Sequence, residues 1–352
     1  MNILIDGQTL ETEEIHRGIG VYFKNVLSEM IKHTAGVVWY ITVSSPEPVS
    51  RLSPWVAGRL IPVVDESFAP SADYQKESEY TKKLNEVIEA YHIDCMWNPN
   101  PLMTNVLFPD KEISCRFFAT VHDLIPYRMP VQSWNESVTR EYHRRLDYLK
   151  KVHILCVSDA TKLDVNEIIG NEVSADVIYE AADQKLFYRK RMRLNQSNES
   201  MVVYTGGFDY RKNIYGAAKA FSIAKNIVKN RKLMFYIVCK YTPSEKEAFE
   251  NKLRELDIYD DVRLTGFLTD DELAALYHKA DVFFFPSHYE GFGLPLLEAM
   301  LGGAYILCAD NSSLPEVCKN HAIYCDSKDP QNMAEKLAQA VQNAMDEGLD
   351  EK

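Results

Sequence analysis

The chain lacks any apolar stretch close to the roughly 20 residues that a membrane-spanning helix requires. It also lacks a surplus of positive charge. Across 352 residues, 51 acidic side chains against 39 basic ones leave a net charge of −12, which argues against a dedicated nucleic-acid binder. Its seven cysteines show no metal-ligand spacing. Cys318 and Cys325 have no second pair with which to make a zinc site, and Cys156, Cys239 and Cys308 sit inside apolar runs as small core residues. No Asp-x-Asp metal motif stands out. The opening "MNILIDGQTL" has neither a basic leader nor an apolar signal core, so export is not expected and a reduced, cytoplasmic setting is. There is no low-complexity segment and no repeat at a period of about 20–50 residues.

What is present is an ordinary core-forming composition, 46% hydrophobic and 26% charged, on a chain long enough for two domains. Short apolar runs alternate with helical patterns from end to end. "MNILID", "VVWYITVS", "CMWN", "RFFATVHD" and "HILCVSD" read as strands, with "IGVYFKNVLSEMIKH" the first amphipathic helix and 133–151 another long one. Ser158 caps the helix of "SDATKLDVNEII". Periodicity fails over 181–200, which reads as a linker. It then restarts with "SMVVYTGGFD", "LMFYIVCK", "DVRLTG", "DVFFFPS" and "AYILCAD" as strands between helices. Strands alternating with helices imply parallel sheets covered on both faces. The expected architecture is α/β: two doubly wound Rossmann-like domains, 1–180 and 201–335, facing each other across a cleft. A final helix over 336–352 could pack back on the first domain.

Ligands of such sheets bind beyond the carboxyl ends of the strands, and four loops there carry chemistry. In "RGIGVY" (17–22), Gly18 and Gly20 would let the backbone approach an anion at a helix start, although the dinucleotide fingerprint is incomplete and the glycines could be purely structural. "TVHDLIPYR" (120–128) ends a strand in His122 and Asp123, able to reach a ligand hydroxyl or phosphate or simply to satisfy the loop's own backbone. "YTGGFDYRKNI" (204–214) places Gly206 and Gly207 at a strand end, followed by Arg211 and Lys212 at a helix start. Cations there oppose the helix dipole, which makes sense with an anion among them; a plain surface pair is the alternative. "FFFPSHYEGFGLPLLEAM" (283–300) puts Glu290 in the loop and Pro295 as first helical residue. Glu298 then falls in about the first turn, where dipole compensation alone would explain it. The amides of Gly291, Phe292, Gly293 and Leu294 suit hydroxyls or phosphate, and Glu290 could accept from two sugar hydroxyls. Two basic stretches, "TREYHRRLDYLKK" (139–151) and "YRKRMR" (188–193), are either solvated charge or a face for acidic lipid headgroups.

Together these residues resemble the retaining glycosyltransferases of family 4, which have the GT-B fold. The likeness covers nearly the whole chain and is strongest over 204–316. Its hallmark is two glutamates separated by seven residues within a phrase such as "EGFGLPLLEAM", here Glu290 and Glu298. "RGIGVY", "VHDLIP", "CVSDATKLDV" and "GGFDYRKN" follow the family's order and spacing, and "VHDLIP" and "RKN" most resemble a bacterial mannosyltransferase-like branch that builds O-antigens and related polysaccharides. By that resemblance, Glu298 bonds the ribose of a GDP- or UDP-linked sugar, and Glu290 with the amides of 291–294 holds the transferred sugar. Arg211 and Lys212, with the amides around Gly18–Gly20, neutralise the diphosphate, and His122 faces the donor sugar. The chain departs from the family at Gly207, where many members have Arg.

The implied reaction is retaining transfer of a hexose, of mannose or glucose type, to a saccharide or lipid-linked acceptor. It needs no metal and no cofactor beyond the nucleotide-sugar substrate, because two cations and helix amides can stabilise the leaving diphosphate. A same-face attack assisted by that phosphate is preferred, since no carboxylate nucleophile is evident. The expected setting is the cytoplasm, at the inner face of the membrane if the basic stretches touch lipid. Rival readings are a sugar-nucleotide epimerase or hydrolase built on the same fold and a non-catalytic, transferase-like partner subunit.

Overall fold

The computed structural model describes residues 1–16, 18–129, 134–188 and 198–350, with side chains to 346. Two compact units divide the chain, Met1–Glu180 and Ala181–Lys352. In the first, β1 (Asn2–Asp6), β2 (Val38–Val43), β3 (Leu60–Val64), β4 (Cys95–Asn98), β5 (Arg116–Val121), β6 (His153–Cys156) and β7 (Ala175–Val177) form one sheet ordered β3-β2-β1-β4-β5-β6-β7. In the second, β8 (Glu199–Thr205), β9 (Lys232–Val238), β10 (Val262–Gly266), β11 (Val282–Phe285), β12 (Tyr305–Ala309) and β13 (Ala322–Cys325) are ordered β10-β9-β8-β11-β12-β13. All pairings are parallel. The central strands are apolar throughout because helices cover both faces: every residue of β4 and of β11 is buried.

In each sheet the winding direction reverses once, between β1 and β4 in the first and between β8 and β11 in the second. At these points neighbouring loops leave in opposite directions and open a crevice at the strands' carboxyl ends.

Long helices form where expected. Gly18–His33 buries Tyr22, Phe23, Leu27 and Ile31 on one stripe. Glu136–Leu149 starts at Asn135, whose side chain accepts from the Val138 amide. Ser158 caps its helix through the Thr161 amide. The final helix, Pro330–Asp350, buries Met333, Ala334, Leu337, Ala340 and Val341 in the second unit's own core, beside Ala217 and Phe221. That is where the apolar stripe of its described residues goes. The expected linker also differs at its ends. Asp183 caps a short helix, Gln184–Phe187, whose Phe187 is buried in the second unit, and β8 begins at Glu199; residues 189–197 of that segment, and with them most of the 188–193 basic stretch, lie outside the described residues. The cysteines are free thiols, all buried except the half-buried Cys115.

Candidate functional site

In the second unit, two loops meet at the β8/β11 crevice. β8 runs into Gly206 and Gly207. A Cβ on Gly206 would come within 2.4 Å of the Tyr204 hydroxyl, so its bareness serves internal packing, whereas Gly207 faces open space. Asp209 then accepts from the Arg211 amide and starts a single 3-10 turn, Tyr210–Lys212. Asn213 follows in the left-handed region, φ 58°, with its side-chain amide donating to the carbonyls of Pro286 and Ser327. Arg211 and Lys212 therefore stand before the helix Ile214–Ile227 rather than in its first turn.

That turn aims both cations at one carboxylate. Arg211 Nη1 lies 2.7 Å from Glu290 Oε2 and Lys212 Nζ 2.7 Å from Glu290 Oε1. The His288 amide donates to the Arg211 carbonyl, which ties the two loops together along the backbone. Glu290 is 7% exposed. Burial alone would raise its pKa, but Lys212 and Arg211 outweigh that and hold the carboxyl below its usual range. Burial pulls the Lys212 ammonium down, with Glu290 opposing. The sequence assigned the two cations to the diphosphate and Glu290 to the sugar; the structure makes the three one ionic cluster.

Beyond Glu290, Ser313 Oγ donates to the carbonyls of Glu290 and Phe292, and Ser312 Oγ accepts from the Glu290 amide. Gly293 has φ 105°, and a Cβ there would press on Leu314 and Leu296. This left-handed residue lets the helix begin at Leu294, one residue earlier than expected, with Pro295 second. Glu298 is then the fifth helical residue and no acidic side chain occupies the first turn, so dipole compensation does not account for it. Its Oε2 accepts from the Tyr277 hydroxyl at 3.4 Å. Gly291, Phe292, Gly293 and Leu294 are buried.

In the first unit, Gly20 passes so close to the backbone of Glu14 and Ile15 that a Cβ would lie 2.4 Å from Ile15 Cα; Gly18 opens on free space, and Arg17 lies outside the described residues. Gly20 is therefore needed by the fold itself, and only Gly18 leaves room for a ligand. His122 follows β5 and is 8% exposed. Its Nε2 is 2.9 Å from the Pro99 carbonyl and must carry the proton, since a carbonyl only accepts. Nδ1 is enclosed without a hydrogen-bond partner, 3.7 Å from Glu180 Oε1 and with the Tyr22 ring edge-on at 5.0 Å. Asp123 accepts from the Ile125 amide. Both residues line a cavity of ≈ 450 Å³, which also meets Glu14, Asn100, Asn105 and Trp134.

Sequence reasoning missed Glu180, read as the edge of a linker, and Ser312 and Ser313, whose only sign was a run of small polar residues after an apolar strand. It also missed the filling of the β1/β4 crevice. Asp6, 1% exposed, accepts from the Gln8 amide and side chain, from Tyr80 at 2.8 Å and from Asn98 at 2.9 Å. Burial raises the Asp6 pKa against the pull of these donors.

The first basic stretch divides between inward-facing and exposed cations. Arg144 and Arg145 turn inward to Glu77 and Glu141, while Lys150 pairs with Asp147 and Lys151 with Glu112. Among the described residues, no helix is long and apolar enough to cross a membrane, and no three His, Cys, Asp or Glu side chains gather as a metal site.

Known proteins bear on this geometry. The chain is 27% identical over 241 residues to the O-antigen chain mannosyltransferase B of Escherichia coli, covering 65% of this chain and 62% of the relative. It is 25% identical over 353 residues to the serotype-specific mannosyltransferase WbdA of the same organism, covering 90% of this chain and 41% of WbdA. The chain thus spans less than two-thirds of the length of these relatives. Among solved structures, the sucrose-phosphate synthase of Thermosynechococcus elongatus aligns with a TM-score of 0.72 at 17% identity, covering 98% of this chain and 90% of that one. The Anabaena protein HepE, solved with UDP and glucose, aligns with a TM-score of 0.69 at 13% identity, covering 98% and 91%. The fold is that of the GT-B glycosyltransferases, two Rossmann-like units with parallel sheets. Residues 189–351, which hold the Glu290–Arg211–Lys212 cluster, match the family model described as glycosyl transferases group 1.

Proposed function

We propose that the chain transfers a hexose, of mannose or glucose type, from a nucleotide-diphosphate sugar to a saccharide or lipid-linked acceptor in bacterial polysaccharide synthesis. The carrying observation is the buried cluster at the β8/β11 crevice: one carboxylate bridged by two cations 2.7 Å away. With no ligand the one carboxylate offsets only one of the two positive charges. A diphosphate entering beside it offers Arg211 and Lys212 better-placed oxygens, which frees Glu290 to accept from hydroxyls of the sugar. The same cations then stabilise the charge that builds on the leaving diphosphate, without a metal ion. Glu298, set back one turn beside Tyr277, is left for the ribose hydroxyls. The names of the mannosyltransferase relatives support mannose and O-antigen synthesis, and HepE supports a nucleotide-sugar donor. Retention of configuration is what the family resemblance implies, and a same-face attack assisted by the leaving phosphate is the mechanism that would deliver it.

The test is a thermal-shift panel of GDP-mannose, GDP-glucose, UDP-glucose and UDP-N-acetylglucosamine, followed by product analysis with the stabilising donor, with and without a mannoside acceptor, in EDTA. One donor should stabilise the protein and yield a glycoside. Release of free sugar alone, with acceptor present, would contradict transfer. Activity lost in EDTA and restored by magnesium would contradict the metal-free account. Glu298→Gln should weaken binding of the free nucleotide; equal affinity would remove Glu298 from the ribose.

A further inference from the structure

Two residues beside the ionic cluster hold backbone conformations that a side chain disfavours. Asn213 has φ 58° and Ser312 φ 47°, in the left-handed region; Asn tolerates it better than Ser does. Among the described residues, the others of positive φ that are not glycine are His92, Asp257 and Lys319. Each stands just past the end of an α-helix, the usual place for such a residue. Asn213 and Ser312 end no α-helix. Glycine would serve either position without strain. What glycine would lack is the side chain.

Those two side chains lie on a ring of hydrogen bonds that begins and ends at the cluster. Asn213, directly after Arg211 and Lys212, donates from Nδ2 to the carbonyls of Pro286 at 3.0 Å and Ser327 at 2.8 Å. Gly216 is bare to admit it: a Cβ there would fall 2.1 Å from Asn213 Oδ1. The buried Ser327 hydroxyl accepts from Asn311 Nδ2 at 3.3 Å and meets His288 Nδ1 at 3.1 Å. Asn311 Nδ2 also donates to the Ser287 carbonyl, and its Oδ1 accepts from Ser312 Oγ at 3.0 Å. Ser312 Oγ in turn accepts from the Glu290 amide at 3.1 Å, and the Glu290 carboxylate completes the circuit at Arg211 and Lys212. The ring joins the loops that follow β8, β11, β12 and β13. With these backbones pinned, the carboxylate and the cations can exchange partners by side-chain motion alone. A site preorganised in this way stabilises developing charge without reorganising as the charge builds.

We propose that Asn213 and Ser312 are positioning residues for the transfer reaction: Asn213 sets the turn that carries the two cations, and Ser312 sets the backbone of Glu290. Strain at both positions is retained because the side chain is needed and the backbone shape alone is not enough. This role rests on the glycosyltransferase reading and divides labour within it. The Asn213 side governs binding of the diphosphate, and the Ser312 side governs turnover.

The experiment compares the full-length wild type with Asn213→Gly and Ser312→Gly, since glycine keeps each backbone conformation and removes only the tie. Steady-state kinetics use whichever of GDP-mannose, GDP-glucose, UDP-glucose and UDP-N-acetylglucosamine turns over. Calorimetric titration gives the affinities for GDP and UDP, and melting reads stability. Ser312→Gly should lower kcat about tenfold, with donor KM and diphosphate affinity within about twofold of the wild type. Relieved of strain, it should melt close to the wild type. Asn213→Gly should weaken nucleoside-diphosphate affinity about tenfold and lower kcat as well. A kcat within about twofold of the wild type in Ser312→Gly, or unchanged diphosphate affinity in Asn213→Gly, would overturn the proposal. So would a joint fall of kcat, affinity and melting temperature in both variants, the mark of a ring that only holds the fold. A wild type that binds nucleoside diphosphate but turns over none of the four donors would instead overturn the transferase reading; the role of Asn213 would then stand or fall by its effect on that affinity. A wild type that binds neither nucleotide would overturn both.

Discussion

The two units share a winding scheme and a crevice at the same topological place, but they fill it differently. At β1/β4 the protein closes the crevice with its own neutral and singly acidic groups, Asp6 with Gln8, Tyr80 and Asn98. At β8/β11 it leaves a carboxylate between two cations, which under the proposed function an anionic ligand takes over. In the first unit the ionic cluster lies elsewhere, with Glu77, Glu141, Arg144 and Arg145 fixing a loop. Topology therefore determines where a site can be. The side chains decide whether that place is packed shut or kept exchangeable.

The sharpest way to break this comparison is to remove one charge from each cluster. Arg145→Met leaves Glu141 and Glu77 short of a fully enclosed partner, and the first unit should lose about 3–5 kcal/mol. Urea denaturation followed by tryptophan fluorescence reads that unit alone; a midpoint within error of the wild type would mean that the cluster carries no stability. Glu290→Gln should destabilise the ligand-free protein less, by about 1.5–3 kcal/mol, because Arg211 and Lys212 are partly exposed and can rehydrate. It should also abolish transfer while binding GDP at least as tightly as the wild type, since the cations no longer have a competitor. Calorimetric titration that shows GDP affinity falling with the mutation would refute the exchange of partners.

Glycines sharpen the contrast between fold and ligand. Gly293→Ala forces a side chain into the left-handed region and should cost about 1–2 kcal/mol by calorimetric melting. Gly207→Ala, in open space, should leave melting within about 0.5 kcal/mol of the wild type, so any loss of nucleotide affinity there would report a ligand's approach.

The smallest expected effect is in pH, where the units should respond with opposite sign. Burial pushes Glu77 up to about 7, against the pull of Arg145 and Arg144. A carboxyl raised on folding stabilises below its ordinary 4.5 and loses that contribution as pH climbs through about 7. Glu290, held below 4.5, contributes above that value and loses its contribution as pH falls through its lowered pKa. The first unit's urea midpoint should therefore rise from about pH 8 to about pH 5, and Glu77→Gln should flatten that rise. A midpoint that falls over the same span, in the wild type, would reverse the sign assigned to Glu77.

Central strands were legible because burial on both faces makes them apolar runs, "CMWN" and "VFFF" among them. The three strands that escaped, β3, β7 and β13, all lie at sheet edges: β3 carries Pro62 at its centre, β7 has three residues, and β13 is fully buried only at Cys325. Arg211, Lys212 and Glu290 stood out because charge at a strand's end opposes what the local structure prefers. Their mutual pairing could not be read, because it joins loops 78 residues apart. Arg145 was hidden for the opposite reason: within "HRRLDYLKK" it looks like one more solvated cation, and only tertiary packing turns it inward.

The β3 edge has a consequence for how the protein behaves in a crowded cell. Ile61 and Val64 are exposed there, at 44% and 46%, on the outermost strand of a parallel sheet. Such an edge invites a stray strand from another molecule to add itself and start an aggregate. Between these two residues stands Pro62, which has no amide hydrogen to offer and so interrupts the ladder an intruder would need. The residue that made this strand hard to recognise is also the one that keeps its edge from being copied.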